Sequence, residues 1–314
     1  CSRRRSMDQG VTWAQARVLV TGATGYIGRR VSARLIDLGA QVVGLGHVAS
    51  EATVAPGVRP VKADVTDRAA LLAALTAVRP THVLHLAAVG VADPFVPIEL
   101  AEQVNVTGTR HTLAAGLAAG VERLVHVGTA YEKPAAAVEP EANNPYVATK
   151  LAAWRVWRQF VQANALNSVA VRLFHVYGPG QPAHGLIPAA IKAALEQTPM
   201  RMTAGEQRRD FVYIDDVVTG LLTCLAATDH GGETFDLGTG CSRSVREAVQ
   251  IVFQSTDRAD RLQVELQAYR PHEFMNLEAD PEPMAQAWGW RAQTSFETGI
   301  AATIEWYRQH DFAE

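Results

Sequence analysis

The sequence predicts an α/β protein built on a doubly wound parallel sheet, and three features carry that reading. From about residue 17, short β-branched and apolar runs alternate with longer helical stretches. Strands that are apolar throughout, with helices between them, imply a sheet covered on both faces. A glycine-rich turn, Thr21-Gly22-Ala23-Thr24-Gly25-Tyr26-Ile27-Gly28, leaves the first strand and opens the first helix. On a later helix Tyr146 and Lys150 stand at i and i+4, which places a phenol and an ammonium on one face.

The elements follow in order. Strands are predicted at 17–21, 41–45, 58–62, 82–86, 123–127 and 168–174, and helices at 26–38, 68–78, 97–119 and 146–163. After Tyr177-Gly178-Pro179-Gly180 the regular alternation stops, and helices, loops and short strands mix. The expected organisation is a tail over 1–16, a dinucleotide-binding domain over 17–177, and a mainly substrate-binding region over 178–314 with segments able to return to the first sheet. The tail carries the basic run Arg3-Arg4-Arg5 ahead of Met7 and stays outside the fold argument.

Composition narrows the function. The chain has 314 residues, 48% of them hydrophobic, which suffices for a packed core. Its formal charge of −3, from 29 basic and 32 acidic residues, gives no basic footprint, so no nucleic-acid partner is expected. No apolar stretch is long enough to span a bilayer and the start lacks a signal-peptide core, so no membrane partner is expected. Cys1, Cys224 and Cys241 form no CxxC spacing, so neither disulfide framework nor zinc site is expected, and residence is read as cytoplasmic. No cluster has metal-site spacing, and no Ser/His/Asp hydrolase signature appears.

In the glycine turn, Gly22, Gly25 and Gly28 let backbone approach a pyrophosphate, while the helix N-terminus offers N–H groups and a positive dipole end. An acidic residue at the end of the second strand bonds the ribose hydroxyls in NAD enzymes. Here that strand ends Val43-Gly44-Leu45-Gly46-His47, and Glu51 arrives several residues late. The gap leaves room for a 2′-phosphate near His47, Ser50 or Arg29, so NADP(H) is favoured over NAD(H). His47 reads equally as a surface loop residue. Asp64, after the third strand, suits the adenine amino group or a helix cap.

Tyrosine at its reference pKa of roughly 10 is a poor acid or base at neutral pH, and a nearby ammonium and the positive nicotinamide ring are expected to lower it. Lys150 also suits the nicotinamide ribose. Thr129, closing Val125-His126-Val127-Gly128-Thr129, supplies a hydroxyl for a substrate carbonyl or alcohol oxygen. His85 and His126 read as satisfied core histidines.

Together these pieces resemble the extended short-chain dehydrogenase/reductase family, especially its nucleotide-sugar epimerases, dehydratases and ketoreductases. The likeness runs from about residue 17 to 308. It adds His85-Leu86-Ala87-Ala88, Asn105-Val106-Thr107-Gly108-Thr109, Arg172-Leu173-Phe174-His175-Val176-Tyr177-Gly178-Pro179, Arg209-Asp210-Phe211-Val212-Tyr213 and Trp288-Gly289-Trp290 to the motifs above. The resemblance implies a Rossmann-type sheet with a smaller C-terminal α/β region. It also implies cofactor contacts from Tyr26, Ile27, Val65, Leu86, Ala87, Ala88, Asn105 and Val127, with Phe174 close to the nicotinamide. Arg209 and Arg270 match arginines that clamp a sugar nucleotide's diphosphate, a role suited to bidentate guanidinium contacts. The 97–118 and 146–163 helices match those that pair subunits into a homodimer.

Three departures stand out. His175 replaces an asparagine expected to contact substrate. Ala130-Tyr131-Glu132 follows Thr129 where dehydratases of the family carry an Asp-Glu pair, which argues against 4,6-dehydration because no carboxylic acid is placed to expel the hydroxyl. Gly46 stands where an acid would bind NAD. The expected activity is therefore NAD(P)H-dependent reduction of a keto group on a nucleotide-activated 6-deoxyhexose, a 4-ketoreductase. The alternatives are an NAD-dependent 4-epimerase and a non-catalytic cofactor-sensing protein.

Overall fold

The computed structural model describes residues 11–91, 96–135, 144–256, 258, 262–269 and 273–310. Its strands are β1 (Arg17–Thr21), β2 (Gln41–Gly46), β3 (Arg59–Lys62), β4 (His82–His85), β5 (Arg123–Thr129) and β6 (Ser168–Leu173), then β7 (His175–Tyr177), β8 (Met200–Met202), β9 (Arg208–Tyr213), β10 (Thr234–Leu237), β11 (Ser242–Ser244), β12 (Val264–Leu266) and β13 (Asn276–Leu277). The helices are α1 (Tyr26–Asp37), α2 (Arg68–Val78), α3 (Ile98–Ala101), α4 (Gly108–Ala119), α5 (Glu132–Ala135), α6 (Pro145–Ala163), α7 (Leu186–Glu196), α8 (Ile214–Ala226), α9 (Val245–Ser255), α10 (Glu282–Trp288) and α11 (Phe296–Gln309). The chain divides into two compact units. One comprises Cys1–Arg172, Val218–Phe235 and Gln286–Trp290, and the other Leu173–Val217, Asp236–Ala285 and Arg291–Glu314.

The central sheet has seven strands in the order β10-β6-β5-β4-β1-β2-β3, and it is the predicted parallel sheet. β1 pairs in parallel with β2 on one side and β4 on the other, so the strand order reverses at β1. Ligands of such sheets bind beyond the carboxyl ends of strands at that reversal. The sequence forces this layering. Every residue of β4 and β5 is buried, so neither strand has a face for water. Leu19, Leu45, Leu71, Leu75, Leu113, Leu124 and Trp157 join the sheet and its helices in one core. Asp67 starts α2 by accepting the Ala70 N–H at 3.0 Å, and Gly120 closes α4 at φ +66°.

The helix predicted over 97–119 is interrupted by a π-helical turn, Glu102–Thr107, and β5 extends to Thr129 rather than ending at Val127. In the second unit β9 pairs with β11, β13 and β7. Its core gathers Tyr177, Phe211, Val249, Phe253, Phe296 and Ile300. Asp210, fully buried, accepts the Thr239, Gly240 and Ala279 N–H groups and the Thr239 hydroxyl. No helix of the described residues is long and apolar enough to cross a membrane.

Candidate active site

The cradle forms at the carboxyl end of β1. Gly22 has φ +70°, and a Cβ there would lie 2.9 Å from the Ala87 amide nitrogen. Gly28 is tighter, for its Cβ would stand 2.2 Å from the Gly22 carbonyl oxygen. Gly25 caps α1 without a side chain to occupy the first-turn amides, and no acidic residue lies in that turn. Those N–H groups and the positive helix end fit a pyrophosphate. Tyr26 and Ile27, the first residues of α1, are half-buried. Thr21 fixes the adjoining wall, its carbonyl accepting the Leu86 N–H and its hydroxyl the Ala87 N–H, both at 3.2 Å. Ala88, half-buried, continues that wall.

Behind the wall, Asn105 acts as a strut from the π-helical turn. It accepts the Val89 N–H at 2.9 Å and donates to the Val89 carbonyl at 3.1 Å and the Thr149 hydroxyl at 2.9 Å. The loop after β4 is thereby tied to α6. Val65 is buried under Gly108. Asp64 is exposed and accepts the Thr66 N–H at 2.8 Å, while Asp67 takes the capping role on α2. His47 is exposed beyond β2. Lys62 on β3 stands in register with Gly46 on β2 and is also exposed, a neighbour that only the strand pairing reveals.

Thr129, Tyr146 and Lys150 come together where β5 ends and α6 begins. Asn144 caps α6 and Pro145 opens it, so Tyr146 lies in the first turn and Lys150 one turn on. The Thr129 side chain hydrogen-bonds the half-buried Tyr146 hydroxyl. The buried Lys150 ammonium donates to the Val127 carbonyl at 2.7 Å. The sequence led us to expect a phenol made acidic by Lys150. In the protein alone, burial raises the Tyr146 pKa above its ordinary value; the Thr129 bond opposes this, and Glu132 and Tyr131 add to it. The physical reason is that desolvation disfavours the phenolate while the ammonium is turned to a carbonyl. Burial likewise lowers the Lys150 pKa, with Glu132 opposing.

Glu132 is the residue the sequence reading passed over. It is 1% exposed, accepts the Thr129 N–H at 3.0 Å, and lies 3.7 Å from the Arg172 guanidinium. A Cβ on Gly128 would sit 2.3 Å from its carboxylate, so a carboxyl group does lie beside this site, over the glycine of β5. A glycine inside a strand was the available signal. The two strand histidines also part company. His85 bonds Thr21 at 2.8 Å and Thr109 at 3.0 Å, as a satisfied core histidine does. Neither ring nitrogen of His126 has a hydrogen-bond partner among the described residues, because the ring lies between His85 and Trp157.

Of the substrate candidates, His175 and Arg209 belong to the second unit, as does Phe174, which is buried. His175 meets Phe211 edge-on at 5.9 Å, and burial, then Arg209, pull its pKa down to about 3, so the ring is neutral. Arg209 is buried, ion-paired with Glu273 and bonded to the Phe274 carbonyl at 2.7 Å. Arg270 lies outside the described residues. No group of three or more metal-ligating side chains occurs among the described residues.

A parallel sheet reversing at a glycine cradle, with a tyrosine–lysine helix beside it, defines an NAD(P)-dependent oxidoreductase of the extended short-chain dehydrogenase/reductase type. The chain belongs to the NAD dependent epimerase/dehydratase family, whose model matches residues 18–238. It is similar to a UDP-glucose 4-epimerase of Mycolicibacterium smegmatis, 31% identical over 93% of this chain and 98% of that one. A dTDP-6-deoxy-L-talose 4-dehydrogenase (NAD(P)(+)) of Kitasatospora kifunensis is 35% identical over 77% and 80%. Among solved structures, MoeE5 in complex with UDP-glucuronic acid and NAD superimposes with a TM-score of 0.80 at 30% identity, covering 93% of this chain and 99% of that one. The family places the protein among nucleotide-sugar epimerases, dehydratases and dehydrogenases.

Proposed function

We propose that this protein is an NDP-hexose 4-ketoreductase, reducing the C4 carbonyl of a nucleotide-activated 6-deoxyhexose. The observation that carries the reading is the hydrogen-bonded Thr129–Tyr146 pair beside the buried Lys150. When bound, the nicotinamide cofactor supplies the hydride that reaches C4. Thr129 donates a hydrogen bond to the carbonyl oxygen and holds it against Tyr146. Tyr146 gives its proton to that oxygen as the negative charge develops, and Lys150 stabilises the phenolate left behind. The ketone becomes an alcohol, and the phenol is restored from solvent. Neutral His175, the cation Arg209 and Arg270 are the substrate contacts of this reading.

NADPH is the proposed reductant. Gly46 ends β2 without a carboxylate, and Lys62 in register with it and Arg29 at the surface supply positive charge for a 2′-phosphate. The assembly proposed is a homodimer through the 97–118 and 146–163 helices, where Leu100 is 45% exposed; sedimentation measures it. A second reading, 4-epimerisation with retained NAD, is favoured by the likeness to the M. smegmatis 4-epimerase. The test is NADPH oxidation with a panel of 4-keto sugar nucleotides, together with identification of the nucleotide that co-purifies. Turnover that disappears in Tyr146→Phe supports reduction. Tightly held NAD with interconversion of 4-epimers, and no net oxidation, overturns it in favour of epimerisation.

A further inference from the structure

The reaction just described uses Thr129, Tyr146 and Lys150 and leaves out the acidic group packed closest to them. Glu132 opens α5 directly after β5, and its side chain folds back over the strand that precedes it. There it accepts the Thr129 N–H at 3.0 Å and fills the space that any side chain at position 128 would need. The charged and titratable groups facing it come from each element packed around it. Arg172 approaches from β6 at 3.7 Å, while Lys150 and Tyr146 interact with it from α6. Tyr131 precedes it in the chain. Farther along the sheet, His126 and His85 are held neutral by burial. A carboxylate this deeply buried needs cations and donors around it, and here these include a member of the catalytic set.

We propose that Glu132 is a positioning residue for the carbonyl reduction: its buried carboxylate fixes Thr129 through the backbone and is the counter-charge against which Lys150 and Arg172 are held. Two consequences follow from charge alone. A fixed negative charge makes it harder for Tyr146 to lose its proton, and harder for Lys150 to lose its own. Reduction requires Tyr146 protonated and Lys150 charged. Glu132 therefore extends the reductive range toward high pH, and both effects act in the same direction.

The inference rests on the proposed site, so the experiment includes a readout without sugar substrate. Glu132→Gln keeps an acceptor for the Thr129 N–H and removes the charge. The expected result is a basic limb of kcat/KM displaced by about one unit to lower pH. The phenolate step of the NADP+-bound protein should move the same way in near-ultraviolet titration, with Tyr146→Phe subtracting the other tyrosines. Glu132→Ala, which removes the acceptor too, should lower kcat by about tenfold with KM nearly unchanged. If Glu132→Ala does not fold, Glu132→Gln decides alone. A titration step and a basic limb that both stay at their wild-type pH in Glu132→Gln overturn the proposal. A wild-type protein that reduces no keto sugar nucleotide overturns the proposed function instead, and the titration still judges Glu132.

Discussion

Among the described residues, Glu132 is the most deeply buried carboxylate of the first unit and Asp210 that of the second, and the two are used differently. Asp210 in the second unit is surrounded by neutral donors: three backbone N–H groups between 2.8 and 3.2 Å and the Thr239 hydroxyl at 2.7 Å. It clasps the 239–240 turn and Ala279 to β9, and its charge acts on architecture. Glu132 in the first unit takes one backbone N–H and then faces a guanidinium, an ammonium and a phenol. Donors that cannot titrate mark a carboxylate that holds the fold. Titratable neighbours mark one that acts on chemistry. The comparison can be broken wherever a variant moves the wrong observable.

The largest effect belongs to Tyr146→Phe. Loss of a general acid costs about 10²- to 10⁴-fold in turnover, while the urea midpoint should stay within error of the wild type. A variant that unfolds easily and yet turns over normally would place Tyr146 with Asp210 rather than with Glu132. Next comes Asp210→Ala, which strips partners from three backbone amides inside the second unit. The expected loss is about 3–5 kcal/mol of stability, read from the denaturation midpoint. The dinucleotide affinity of the folded fraction should be unchanged. Impaired binding with an unshifted midpoint would contradict the architectural role.

A smaller effect is expected from Gly128→Ala. The new Cβ would meet the Glu132 carboxylate at 2.3 Å and push it out. The pH profile should then move toward that of Glu132→Gln, since both variants remove the same charge from the same place. Stability falls by about 1–3 kcal/mol for the overpacked strand. A profile identical to wild type would show that the carboxylate can leave the glycine without consequence, and would place it with the structural group.

What the sequence disclosed follows the same division. Six strands of the seven-stranded sheet were legible because their short β-branched and apolar runs alternate with helices punctuated by caps and glycines, whereas β10 was not predicted, since it returns to the sheet from about sixty residues beyond β6. Gly22 and Gly28 were legible because a backbone-to-backbone approach excludes every side chain there, and only glycine records that, while Gly25, where a Cβ would stand 3.4 Å from the Gly22 carbonyl oxygen, was legible from the motif alone. Thr129, Tyr146 and Lys150 were legible by spacing within one helix and by a strand end. Glu132 itself carries no local signal in the sequence, since its meaning depends on Arg172, forty residues away in sequence and on the strand next to β5. Lys62 was missed for the same reason, being set opposite Gly46 by pairing between strands. Arg209 looks like a surface charge in the sequence, yet it is buried against Glu273. Contacts made through the sheet leave no local periodicity to read.

The two strand histidines sharpen the comparison most finely, because here both groups sit in one unit. His85 spends its ring nitrogens on Thr21 and Thr109, whereas His126 has no hydrogen-bond partner for either among the described residues. Burial, reinforced by Lys150, holds the first at about 3 and the second well below its ordinary value. Both rings are neutral in the folded protein and take a proton once unfolded below about pH 6.5, so each lowers stability as pH falls through that value. His126→Phe removes this term without stranding a hydroxyl. It should be near neutral at about pH 8 and stabilising by about 2 kcal/mol at about pH 5. His85→Phe removes the same proton term but takes one partner from each of the two threonine hydroxyls, so it should cost about 1–3 kcal/mol at about pH 8 and about 2 kcal/mol less than that at about pH 5. Urea melts of both variants at the two pH values make the measurement. A His126→Phe protein with no gain in acid would mean that the folded ring accepts a proton after all, and a neutral histidine between His85 and Trp157 could no longer be part of the electrostatic setting of Lys150.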